Sequence, residues 1–194
     1  MSDDRKTDMI NDPEIQKRPR YEGYTIDDKG TKIRDDGFSV EKKERGWVLR
    51  VNFVDVAYHV PKDSDMDREG EIKGFDHYID NKKIGFLPPN KVRNMGFRED
   101  SPRPSLTLTM HLDNEGVIRT TKLERALFQA IKTLTPQQAI QELSDGNEDL
   151  KYAQDLFRVL FAKRNPHKTP DELQKRLNQE SDGQNTGPVS YTHL

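Results

Sequence analysis

Asp27, Asp35 and Asp36, with Asp28 beside the first of them, lie in one short glycine-containing stretch, Thr25-Ile26-Asp27-Asp28-Lys29-Gly30-Thr31-Lys32-Ile33-Arg34-Asp35-Asp36-Gly37. Hard divalent cations take several oxygen ligands, and carboxylates on a tight loop supply them. Such ions cleave phosphodiesters by activating a water and by stabilising charge on the leaving oxygen. Glycine lets the backbone turn so that carboxylates apart in sequence can converge. The same composition also describes an ordinary solvated turn, and the local pattern alone does not separate the two. A calcium loop fits poorly, because its ligand spacing and terminal glutamate are missing. The five histidines are scattered without a zinc spacing, and neither a nucleophile elbow nor a phosphate-cradling glycine loop is present.

The elements that must position this loop are read from periodicity. A strand begins near Phe38–Val40. Trp47, Leu49, Val51 and Phe53 then alternate with Val48, Arg50, Asn52 and Val54, a strand pattern with one apolar face that continues into Asp55-Val56-Ala57. Trp47 is expected to anchor that face in the core. Ser64, three residues before Asp67, predicts a helix start, with Ile72, Phe75 and Ile79 on one face. Residues 80–104 read as irregular because of Pro88-Pro89, Pro102 and Pro104. Leu106 to Leu112, a turn at Asp113-Asn114-Glu115-Gly116 and a return from Val117 to about Leu127 predict a hairpin. Two helices follow. One is capped at Thr135 with Pro136 at its first position and stops near Gly146. The other runs from about Asn147 to Arg164 and buries Leu150, Ala153, Leu156, Phe157, Leu160 and Phe161.

Composition sets outer limits. Hydrophobic residues are 31% and charged residues 34% of 194, so the core is modest. The formal net charge of -2 gives no global attraction for nucleic acid, so any RNA contact must come from local patches. Without cysteine there are no disulfides and no thiolate chemistry, which suits a cytoplasmic protein. No apolar run approaches membrane-span length, and no membrane partner is expected. Residues 1–22 read as a flexible arm, 23–165 as the folded unit and 166–194 as a mostly disordered tail. Within the arm, Lys17-Arg18-Pro19-Arg20-Tyr21 reads as a solvated basic patch. In the tail, a short helix is expected from Pro170 to about Leu177, and Val189 to Leu194 reads like a cloning remnant.

Several segments, taken in order, resemble a known family. Thr25-Ile26-Asp27, then Asp35-Asp36-Gly37-Phe38-Ser39, then Val51-Asn52-Phe53-Val54-Asp55-Val56-Ala57 resemble the opening of the ribonuclease II/ribonuclease R catalytic domain, the RNB domain. The likeness continues through Val60-Pro61-Lys62-Asp63-Ser64, Gly74-Phe75-Asp76-His77-Tyr78-Ile79, Leu87-Pro88 and Arg103-Pro104-Ser105-Leu106-Thr107. It covers about Tyr24 to Arg164. The resemblance implies a mixed α/β fold (α+β), a twisted mixed sheet with packed helices forming the front half of a longer catalytic domain. It also implies a processive 3′–5′ exoribonuclease that hydrolyses single-stranded RNA with magnesium, or manganese in its place. On that reading Asp27, Asp35 and Asp36 hold the metal, Asp35 and Asp36 are catalytic, and Tyr78 stacks on RNA.

Three departures from the family pattern stand out. The family pattern has an aspartate two positions before Asp35, where this chain has Ile33. An apolar side chain there removes a ligand, so metal affinity and rate should both fall. Gly37 stands where the family has alanine, which reads as a mild change. The later arginine-rich segment of the family domain is not matched after Arg164. The chain alone is therefore expected to be weakly active or inactive, and the alternative reading is an RNA-binding or interaction protein that keeps the fold without the chemistry.

Overall fold

The structure is a computed structural model and describes residues 12–31, 33–79, 82–167 and 169. Five strands close into a barrel: β1 (Arg20–Ile26), β2 (Asp36–Lys43), β3 (Gly46–Val54), β6 (Arg103–Leu112) and β7 (Ile118–Leu134). All neighbours are antiparallel except β7 and β1, which close the barrel in parallel with Ile26 opposite Leu134. The mixed sheet and packed helices are as expected from sequence. Closure is the feature that alternation alone could not reveal.

Closure also decides which strand face is which. Along β3, Phe53 is 47% exposed, whereas Asn52 is fully buried with Val48 and Val54. The apolar face expected to be interior is the barrel's outer wall. Its far half carries Trp47 into a cluster with Val40, Leu112 and Leu156, so Trp47 does anchor a core. That cluster is sealed by α6 (Glu148–Arg164), a helix whose Leu150 and Leu156 are buried. The inner face holds the buried Phe128 ring against Gly37 and, on β3 and β6, a set of small polar groups. There Thr107 donates to Asn52 at 2.7 Å, Asn52 donates to the Gly37 carbonyl at 3.3 Å, and Ser105 lies 3.1 Å from Thr107. Buried polar groups hold a single arrangement only when they satisfy one another in this way.

Several boundaries differ from the sequence reading. Within the segment read as a flexible arm, α1 (Pro13–Gln16) buries Ile15, and β1 starts at Arg20. β3 ends at Val54, and Asp55 instead caps the short α2 (Val56–His59), its carboxylate accepting from Tyr58 N–H at 3.2 Å. A side chain that satisfies a helix N-terminus ends a strand as firmly as a proline. α3 (Asp65–Lys73) starts on the expected Ser64 cap. However, Ile72 is 86% and Phe75 66% exposed, so the predicted apolar face is not covered. Gly74, at φ 73°, ends that helix, and His77–Ile79 become β4, paired with β5 (Lys82–Ile84). The stretch read as irregular also holds α4 (Pro89–Val92). α5 (Pro136–Ser144) has the full reciprocal cap between Thr135 and Gln138. The expected helix at 170–177, the terminal remnant and most of the tail lie outside the described residues.

Candidate functional site

The acidic loop spans one end of the barrel, between the exit of β1 and the entry of β2. Asp27 follows β1 directly, and its N–H donates to the Leu134 carbonyl at 2.9 Å, which ties it to the end of β7. Asp36 opens β2 opposite Phe53. Just before it, the Asp35 carbonyl accepts from Val54 N–H at 2.9 Å. Residues 96–97 clamp the loop from outside the barrel sheet. Phe97 N–H donates to the Arg34 carbonyl at 2.7 Å, while the Phe97 ring, 1% exposed, sits 4.7 Å from that of Phe128. Gly96 is pressed so closely that a Cβ there would lie 3.0 Å from the Arg34 nitrogen and 3.3 Å from its oxygen. The loop is therefore held by hydrogen bonds to β7, to β3 and to the Phe97 segment, so its carboxylates keep defined places.

Those places are electrostatically costly. Burial, then the neighbouring Asp36 charge, push the Asp27 carboxyl up to about 6; Arg34 offsets part of this, and Asp35 and Asp28 add to it. Asp36 is also raised, first by burial and then by Asp35, against the pull of its own N–H. Asp27 Oδ2 is buried without a hydrogen bond, and Arg34 Nε lies 4.0 Å away. Like charges this close in a partly dry site favour a proton or a cation.

Asp27, Asp35 and Asp36 do share one barrel end, as the sequence suggested. They do not form a ligand set: among the described residues, no three acidic or histidine side chains are arranged to hold a metal ion. The residues present thus do not fit a three-carboxylate ion site. Ile33 occupies the position where the resemblance calls for the further acid. Gly37 proves a larger departure than it first reads, since a Cβ there would lie 2.6 Å from the buried Phe128 ring. Tyr78 falls on strand β4 rather than at a helix end; its side chain lies outside what is described.

Within the basic patch Lys17 and Arg20 are exposed, but Arg18 is not solvated. Arg18 Nη1 donates to Asp55 Oδ2 at 2.9 Å, both side chains being almost wholly buried, and Arg125 Nε approaches the same oxygen at 3.7 Å. Sequence reasoning also missed a cleft of about 540 Å³ beside the line where β1 and β2 are paired only at Tyr24 and Phe38. Arg50 reaches into it, bonded to Glu41 and lying over the Tyr21 ring at 5.0 Å. The polar phase of the β3 alternation, Arg50 and Asn52, was the available signal.

A family model described as the RNB domain matches residues 20–188. The chain belongs to the RNB-domain family. The match extends beyond Arg164, where the motif-based likeness ended. The RNB chain is 31% identical to Exoribonuclease 2 of Psychromonas ingrahamii over 112 residues, 56% of this chain and 17% of that protein. Its fold matches Mycoplasma genitalium RNase R, solved in complex with ribose methylated single-stranded RNA, with TM-score 0.72 and 23% identity, covering 87% of this chain and 29% of that one. It also matches yeast Ssd1, described as a pseudonuclease, with TM-score 0.68 and 20% identity over 80% of this chain and 21% of that one. The RNB chain thus spans less than a third of the length of these proteins, and the fold is shared by active and inactive members. Nucleases of the family generally depend on a divalent metal. No described helix is long and apolar enough to cross a membrane.

Proposed function

We propose that this chain is the front portion of an RNB-type 3′–5′ exoribonuclease domain that binds single-stranded RNA and hydrolyses it weakly or not at all. The observation that carries this reading is the acidic loop. Asp27, Asp35 and Asp36 are gathered at one barrel end, yet they do not make a metal-holding group, and Ile33 stands where a further acid is needed. Magnesium, which the family resemblance implies, would meet these three carboxylates only after the loop rearranged, and the clamps at Arg34, Asp35 and Asp27 resist that. Asp35 and Asp36 remain the proposed catalytic acids of any residual hydrolysis. Tyr78, in the segment Gly74-Phe75-Asp76-His77-Tyr78 that resembles the family, is proposed to stack on a base, a contact that tolerates any sequence.

The test is a 3′-to-5′ assay on labelled single-stranded RNA with magnesium or manganese, run beside an electrophoretic retardation assay. Retardation with little or no shortening is expected, and Tyr78→Ala should weaken it several-fold. Rapid stepwise shortening would show that the chemistry is intact. RNA neither retarded nor shortened would remove both RNA readings.

A further inference from the structure

We infer that the Arg34 guanidinium is the built-in counter-cation of the acidic loop, holding the charge position that a divalent ion would otherwise take. The disagreement between a metal-dependent family and a loop without a metal-holding group leads here. Asp27 Oδ2 is buried and makes no hydrogen bond, and the cationic Arg34 Nε stands 4.0 Å from it. A guanidinium keeps its charge at every pH a protein survives, so its partial compensation of Asp27 is always present. It is also placed rather than wandering. The Arg34 carbonyl is held by Phe97 N–H, the next carbonyl by Val54 N–H, and Gly96 packs against the Arg34 backbone. The Arg34 side chain is about one-third exposed and the Asp27 side chain less so, which leaves their charges only partly screened by solvent.

Asp28, Asp35 and Asp36 are the other charged groups acting on Asp27, and Glu99 also feels Arg34. Among the described residues, Arg34 is the cation that counters this group at Asp27. A divalent ion entering here must displace the guanidinium or share the site with it, and either costs affinity. The missing acid at Ile33 and the cation at Arg34 then act in the same direction, away from metal. This inference rests on the reading of the loop as a remnant RNB acidic site.

The experiment is a manganese titration by calorimetry of the full chain and of Arg34→Gln, with Arg34→Lys as the charge-conserving variant. Removing one charge beside a partly buried carboxylate should tighten manganese binding by roughly tenfold, while Arg34→Lys should bind as weakly as the parent. Unchanged or weaker binding by Arg34→Gln overturns the inference. If Arg34→Gln unfolds, the same comparison is made by thermal unfolding in an Asp27→Asn background. There the loss caused by Arg34→Gln should largely vanish, and an equal loss with and without Asp27 overturns the pairing. RNA retardation by the parent chain is scored separately. Retardation with no gain in manganese affinity defeats only the Arg34 assignment, and the converse defeats only the RNA reading.

Discussion

Asp27 and Asp55 sit at the same end of one barrel, each just past the end of a strand, and the chain treats them in opposite ways. Asp55 is fully buried and completely served. It has Arg18 at 2.9 Å, Arg125 at 3.7 Å, and a helix N-terminus donating from Tyr58. Asp27 is also largely buried, but it faces other carboxylates, keeps one oxygen without a hydrogen bond and has a single guanidinium at 4.0 Å. A buried charge that is paired and hydrogen-bonded costs little to keep; one crowded by like charges costs stability and marks a candidate functional site. At the opposite end of the barrel charges are also paired, but at the surface. There Arg119 pairs with Asp113, Lys43 with Glu41, and Lys42 lies 3.7 Å over the Trp47 ring.

The contrast is broken most sharply at Asp55. Asp55→Ala strips the partner from a buried arginine and removes a helix cap, a loss of about 3–5 kcal/mol. For a chain of this size that is a fall in melting temperature of roughly 6–20 °C, read by circular dichroism. Asp55→Asn, which keeps the cap acceptor, should fall between this variant and the parent.

Next in size is Gly37→Ala. It restores the residue that the family pattern has at this position, yet its Cβ would lie 2.6 Å from the fully buried Phe128 ring. Overpacking of this kind costs about 1–3 kcal/mol, and chemical denaturation should show the midpoint falling. An unchanged midpoint would mean that Phe128 yields freely.

Asp27→Asn should move the other way. Its carboxyl titrates near 6 in the folded chain and near 3.8 when unconstrained, so the folded state holds the extra proton between those values. Stability contributed at this position therefore falls as pH rises from about 4 through 6, and the penalty is fully present above that. The variant should melt a few degrees higher than the parent at pH 7.5 and no higher at pH 4. A gain that is equal at both pH values would show that charge is not the cause.

The smallest effect belongs to the far end of the barrel. Arg119 is 66% exposed in its pair with Asp113, so Arg119→Gln should shift the melting temperature by only about 1 °C, and less at high salt.

Much of this was legible before any coordinates. The caps at Ser64, Thr135 and Asn147 are local chemistry between a side chain and N–H groups three residues on, and all three start helices where expected. The hairpin turn at Asp113–Gly116 and the gathering of acids between residues 27 and 36 were also legible, because each is a short-range pattern; of the face expected on the last helix, Leu150 and Leu156 are buried, while Ala153, Phe157, Leu160 and Phe161 are only partly so. The missing acid at Ile33 was read directly from residue type.

Tertiary structure decided the rest. Alternation divides a strand into two faces but does not say which faces inward, so Phe53 and Asn52 exchanged expected places once the sheet closed. Arg18 reads as a solvated tail until the barrel brings Asp55 to it across 37 residues. Gly37 reads as a mild change until Phe128 fills the space over it. Residue types determined that carboxylates, and not thiols or a zinc cluster, would carry any chemistry here. Whether those carboxylates converge on an ion or on Arg34 depends on backbone clamps from Phe97, Val54 and Leu134, and contacts so distant in sequence exist only after folding.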